Sequence, residues 1–254
     1  MEKLISLKLA TWNVALPVAR QRRDALRTYI DHEQADVWVL TETHDGFILG
    51  HEFMHSSAPG RDGKYHKPEH RWVTIWSRWP LVPLVTSDEM RTAAARINPD
   101  FSPPFIVYGT VLPWTGSTWR SHPSAAGVAF QEALAVQAND WKRLRLVFAE
   151  DEFFILGDFN QDMVPAPPRY CGTRGNRMAL ESTLDAVGLV ALTGANNDPI
   201  RRVAPPFACI DHICARADSK WRANPPVMWP EAPTPVRRLS DHFGLSVTLH
   251  MNEL

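Results

Sequence analysis

The chain has 254 residues, of which 44% are hydrophobic and 22% charged, and its 27 Lys plus Arg stand against 28 Asp plus Glu for a formal net charge of −1. That is enough apolar material for a real core, which excludes a mainly disordered chain, and the near-neutral balance excludes a protein that coats itself on nucleic acid through a general basic surface. No apolar run approaches the ~18–20 residues of a membrane-spanning helix, so a soluble protein of one large domain or two small ones is expected.

Ile5, Leu7 and Leu9 alternate with Ser6 and Lys8, the period-2 pattern of a strand with one buried face, and Asn13 lies just past its end. After Pro17, the spacing of Val18, Ala25, Leu26, Tyr29 and Ile30 predicts a surface helix over 18–33. Val37 to Leu40 reads as a buried strand with Glu42 at its end; Trp72 to Ser77 and Phe105 to Leu112 are two further strands. The segments 58–70 and 86–104 carry Gly, Pro, His and Asp without period and read as long loops. A helix is expected over 126–148, followed by an apolar strand, Phe153 to Leu156, that runs into Gly157-Asp158-Phe159-Asn160. A short helix over 178–187, a strand over 209–215, a Pro-rich loop over 224–235 and a last strand over 243–249 complete the chain.

Asn13, Glu42, Asp158, Asn160, Asp211, Asp241 and His242 all fall in or at an end of a predicted strand. Rigid strands aim short polar side chains into a common cleft, so this recurrence marks a candidate site. Because it runs from position 13 to 242, a common cleft requires residues 1–254 to form a single domain.

These residues lie in blocks: Thr11-Trp12-Asn13, Leu40-Thr41-Glu42-Thr43, Ile75 to Pro80, Leu156 to Asn160, Ile210 to Ile213 and Leu239 to Phe243. In that order the blocks resemble the signatures of the endonuclease/exonuclease/phosphatase superfamily. The resemblance covers about residues 13–249 and implies an α/β fold, a four-layer α/β/β/α sandwich with two mostly antiparallel central sheets. It also implies a phosphoric ester hydrolase dependent on Mg²⁺ or Mn²⁺, with a phosphate ester, DNA or RNA among the candidates, as substrate. Hard cations take oxygen ligands, and Glu42 and Asp241, with Asn13 as a neutral oxygen donor, are the candidate metal residues. Asp158 resembles the residue that positions and activates the attacking water, and Asn160 the amide that supports it. His242 is expected to contact the phosphoryl oxygen, with Asp211 holding its ring, while the choice of base between Asp158 and His242 stays open.

One position departs from the pattern. Val111 stands where the family usually delivers a His or Tyr, which leaves Tyr108, Trp114 or His122 as substitutes and a catalytically weakened phosphate- or nucleic-acid-binding module as the alternative reading. His51-Glu52-Phe53-Met54-His55 matches the zinc-peptidase pattern, but Gly50 before it and Pro59-Gly60 after it leave no room for the helix that pattern needs. His212 reads as a packed histidine; His44, His66 and His70 could add a transition-metal site, with solvated loop histidines the default. Trp76, Trp79, Trp114 and Trp119 could stack bases, with packing the default. Arg61, Lys64, Arg169, Arg174 and Arg177 could line a phosphate-binding rim. The three cysteines have no Cys-x-x-Cys spacing and suit a reducing compartment; with no secretory signal at the N-terminus, the expected setting is a cytoplasmic monomer without a membrane span.

Overall fold

The computed structural model describes residues 4–59, 67–100, 102–117, 119–120, 127–164, 170–229 and 239–252. Its strands in chain order are β1 (Leu4–Asn13), β2 (Val37–His44), β3 (Phe53–Ser56), β4 (His70–Ser77), β5 (Leu81–Leu84), β6 (Thr92–Ile97) and β7 (Phe105–Val111). They are followed by β8 (Glu152–Asp158), β9 (Leu189–Ala191), β10 (Asp211–Arg216), β11 (Arg222–Ala223), β12 (Val227–Trp229) and β13 (Gly244–Asn252). The helices are α1 (Arg20–Glu33), α2 (Val128–Val147), α3 (Arg174–Ala186) and α4 (Pro199–Val203).

The strands form two sheets, ordered β11-β13-β1-β2-β4-β3, with β12 also on β13, and β5-β6-β7-β8-β10-β9. Only β1 with β2 and β7 with β8 run parallel; the other pairs are antiparallel. Successive side chains of a strand leave on opposite faces. Val37 and Val39 of β2, Leu7 and Leu9 of β1, and Phe154 and Leu156 of β8 therefore meet between the sheets. Trp38, Leu40 and Trp12 leave the other face of the first sheet and bury Leu26 and Ile30 of α1. Phe153 and Ile155 leave the far face of the second sheet and pack with Phe130, Trp141 and Leu180 from α2 and α3. The result is the expected four-layer α/β/β/α sandwich. At about 1.5–3 kcal/mol for each large apolar side chain fully buried, these three cores supply its main driving force. A Cβ at Gly109 would lie 2.4 Å from Val73 Cγ1, so the close approach of the sheets there requires glycine.

The segment 86–104, expected as a loop, contains β6. Its run Ala93-Ala94-Ala95 is buried on both faces, and alanine carries no strand signal of its own; the tight space between neighbouring layers selects it. Strands β5, β9 and β12 and helix α4 were likewise not expected; each is five residues or shorter, below the length at which periodicity speaks. Helix α3 begins at Arg174, four residues before the expected start, because Thr173 caps it by accepting the Asn176 N–H at 3.0 Å. Of the segment 58–70, residues 60–66 lie outside the described residues.

The ends of β1, β2 and β8 and the start of β10 come together at one end of the sandwich. Asn13 pairs in register with Thr41, and Asp158 with both Val111 and Asp211.

Candidate active site

Asn13 is buried at the end of β1 and turns its amide nitrogen toward two carboxylates, donating to Glu42 Oε1 at 3.1 Å and Asp158 Oδ2 at 3.0 Å. Its own Oδ1 accepts the Ala15 N–H at 2.9 Å, which fixes the amide's orientation. Glu42 takes a left-handed conformation, φ 52°, between the paired residues Thr41 and Thr43 of β2. A non-glycine residue held there costs of order 1–3 kcal/mol and aims its side chain off the regular strand direction. Asn160, φ 49°, does the same after β8. Its backbone N–H donates to Asp158 Oδ1 at 2.8 Å, and its side-chain amide to Asp158 Oδ2 and the Leu112 carbonyl, each at 2.9 Å. Gly157, φ 141°, keeps β8 against β7 in a conformation that favours glycine, since a Cβ there would lie 2.1 Å from the Thr110 carbonyl oxygen.

A second group faces the first. His242 Nδ1 and Asp211 Oδ2 are 2.6 Å apart, and Asp158, Asp211 and His242 offer ligand atoms that all lie within 4.8 Å of one another. The loop that carries His242 is pinned by three bonds: Trp12 Nε1 donates to the His242 carbonyl at 3.0 Å, the His242 N–H to Ser240 Oγ at 3.1 Å, and the Ser240 hydroxyl to the Asn13 carbonyl at 2.5 Å. Asp241 is exposed between them and acts on Glu42, His242 and Arg22 through its charge.

Burial raises the pKa of Glu42 against the Asn13 hydrogen bond and the His242 charge that lower it. Burial also raises Asp158 to about 7, helped by Asp211 and Glu42 and opposed by His242. For His242 burial acts downward, but the charges of Asp211 and Asp158 outweigh it and lift the imidazole to about 10. These charges favour the imidazolium form of the ring, whose Nδ1 is engaged by Asp211.

The cluster fits a hard divalent cation by its donors. Glu42 and Asp158 share the Asn13 amide, Asp211 lies beside Asp158, burial makes Glu42 and Asp158 hold protons more tightly than usual, and Asp211 Oδ1 is buried without a hydrogen-bond partner.

Elsewhere the sequence signals resolve differently. Val111 is buried in the core between the sheets and offers only methyl groups. Tyr108 faces away, donating its hydroxyl to Asp140 Oδ2 at 3.3 Å beneath α2; Trp114 is 57% exposed, and His122 lies outside the described residues. His55 of the peptidase-like motif is in β3, paired with Ile75, and His51 Nε2 bonds the Ala35 carbonyl at 2.9 Å, so no helical zinc pair exists. His212 is fully buried between Gln161 O and Thr193 Oγ1 at 2.9 and 3.2 Å, a packed histidine. His44 and His70 pair across β2 and β4 near Glu69. Each accepts a backbone N–H on Nδ1, from Gly46 and Lys67, which leaves the proton on Nε2 and that atom without the lone pair a metal needs. Arg177 is buried against Asp162 and the Val164 carbonyl and Arg174 is exposed; Arg61, Lys64, His66 and Arg169 lie outside the described residues. Trp76 and Trp119 are buried. Sequence reading passed over Trp12, Ser240 and Arg22; Trp12 and Ser240 stood inside recognised blocks, and Arg22 stood outside them.

The model of the endonuclease/exonuclease/phosphatase family matches residues 10–242. No curated protein sequence matches the chain. Among solved structures, the AP endonuclease LMAP from Leishmania major is similar with a TM-score of 0.69 at 16% identity, over 98% of this chain and 88% of that one. The human Nocturnin catalytic domain with bound sulfate has a TM-score of 0.62 at 13% identity, over 98% and 96%. An endonuclease/exonuclease/phosphatase protein from Bacteroides thetaiotaomicron has 0.64 at 14%, over 98% and 99%. These likenesses concern the fold; the match over residues 10–242, together with the site at the strand ends, establishes that the chain belongs to the endonuclease/exonuclease/phosphatase family.

Proposed function

We propose that the protein is a divalent-cation-dependent phosphoric ester hydrolase that works by in-line attack of water on a phosphodiester or phosphomonoester. The observation that carries this reading is the placement of Asp158: fully buried, bonded by Asn13 and Asn160, and within 4.8 Å of the charged Asp211–His242 pair. A carboxylate lifted to about 7 is matched to take a proton from water near neutral pH. The charges of Asp211 and Asp158 favour the protonated ring of His242, which suits it to donate a hydrogen bond and leaves the base's part to Asp158. The His242 Nε2–H donates to the phosphoryl oxygen, and Asp211 fixes the ring and its charge. Asn160 steers the carboxylate of Asp158 with two hydrogen bonds, and Asn13 holds Asp158 and Glu42 in one orientation. Glu42 and Asp241 would hold Mg²⁺ or Mn²⁺, with Asn13 orienting them. Bound there, the ion would neutralise phosphate charge and polarise the ester. The chain acts as one catalytic unit, because its site draws on residues from Asn13 to His242; its free Cys171, Cys209 and Cys214 suit the reducing cytoplasm.

Val111, buried and apolar, supports a second reading, a binding module on the same fold with weakened catalysis. One experiment separates the two. The protein is assayed with Mg²⁺, and again after EDTA, on abasic and intact DNA, RNA, inositol phosphates and a choline phospholipid, with calorimetric binding run in parallel. Hydrolysis that EDTA abolishes and Mg²⁺ restores supports the enzyme; binding without turnover under Mg²⁺ or Mn²⁺ supports the module.

A further inference from the structure

Arg22, on the first turn of α1, is half-buried beneath the site and spends its guanidinium on main-chain oxygens. Nη1 donates to the Ala15 carbonyl at 2.8 Å, Nη2 to the Val14 carbonyl at 2.9 Å, and Nε to the Leu239 carbonyl at 2.6 Å, with Nη2 also on Leu239. One fork thus bridges the loop that leaves β1 just after Asn13 and the loop that carries Ser240, Asp241 and His242. The first of these loops needs holding: Ala15 and Leu16 both sit in the left-handed region, φ 49° and 52°, where neither side chain is at ease. No hydrogen bond from Arg22 to a carboxylate occurs among the described residues, yet the charges of Asp241 and Glu42 favour its protonated form against burial. A lysine could not do the same, since a single ammonium cannot present donors in a planar fork to separate carbonyls.

From this geometry we propose that Arg22 is a positioning residue for the cation site, fixing Asp241 relative to Glu42 while supplying a permanent positive charge that occupies none of their ligand oxygens. The carboxylates are held together without the divalent ion and remain open to it. This inference rests on the reading of Glu42 and Asp241 as cation-holding residues.

Mn²⁺ binding at about pH 8, followed by calorimetry and by the loss of the free-ion electron paramagnetic resonance signal, tests it without using activity. The variants are Arg22→Met and Arg22→Lys, with Arg20→Gln as the control, since the Arg20 side chain is 88% exposed. We expect Arg22→Met to bind Mn²⁺ at least tenfold more weakly than wild type, Arg22→Lys to recover part of that loss by restoring charge without the fork, and Arg20→Gln to match wild type. If Arg22→Met does not fold, Arg22→Lys alone decides, with a loss of at least threefold expected. Binding within twofold of wild type in a folded Arg22→Met or, failing that, Arg22→Lys overturns the proposal. Absence of Mn²⁺ binding in wild type, by contrast, overturns the assignment of Glu42 and Asp241 itself.

Discussion

Replacing Asp211 by Asn removes the carboxylate 2.6 Å from His242 Nδ1 while keeping its shape. Asp211 is the main influence raising His242 from 6.5 to about 10, against burial that pushes it down. An opposite charge in contact is worth about 1–3 pKa units, and each unit is about 1.4 kcal/mol, so the substitution should cost about 1.4–4 kcal/mol of folding stability. The sign follows from linkage. A histidine whose folded pKa is raised contributes stability that is fully present below its unfolded value of 6.5 and is lost as pH rises through about 10. The destabilisation should therefore be largest near pH 6 and shrink toward pH 10. Urea unfolding at about pH 6, 8 and 10, with NMR titration of the His242 ring, measures both quantities. The NMR pKa should fall by at least about one unit. A His242 pKa unchanged in Asp211→Asn, or a stability loss independent of pH, would refute the assignment of a charged imidazole held by Asp211.

Other outcomes follow from the same geometry. Asp158, raised from 3.8 to about 7, contributes stability that is present below 3.8 and lost as pH rises through about 7. Metal-free protein should accordingly lose stability over that window, and saturating Mg²⁺ should raise the melting temperature more at about pH 8 than at about pH 5.5; equal shifts at the two pH values would contradict it. Gly157→Ala, which sets a Cβ 2.1 Å from the Thr110 carbonyl oxygen, should cost more than about 3 kcal/mol in urea unfolding, and a cost below about 1 kcal/mol would show that β8 tolerates a side chain there. Tyr108→Phe loses the hydroxyl bonded to Asp140, on the face away from the site. It should lower stability by about 1 kcal/mol and leave kcat within about twofold, whereas a large loss of kcat would place Tyr108 in the role vacated at Val111.

The layers of the fold were readable because its long elements carry their signals locally. Val37 to Leu40 and Phe153 to Leu156 are continuous apolar runs because each strand is buried on both faces, and α1 shows its apolar stripe because only one side meets the sheet. Strand β6 was missed for a tertiary reason: its alanines are chosen by the space between layers, which no local propensity encodes. The candidate site was legible as short polar residues at strand ends. Which atoms meet was not, because Asn13 and Asp158 are 145 residues apart and the orientation of the Asn13 amide is decided by the Ala15 N–H. Arg22 left no trace either, since one arginine among 21 on a surface helix looks like any solvated cation until the carbonyls of Val14, Ala15 and Leu239 are placed around it.

In the proposed mechanism Asp158 is the proton acceptor of a cation-dependent hydrolysis. The most direct measurement is the initial rate of Mg²⁺-supported phosphodiester hydrolysis by Asp158→Ala against wild type, each at matched fold by circular dichroism. The expected rate is lower by about 10²–10⁴-fold, the usual contribution of a general base. A variant as active as wild type would contradict it.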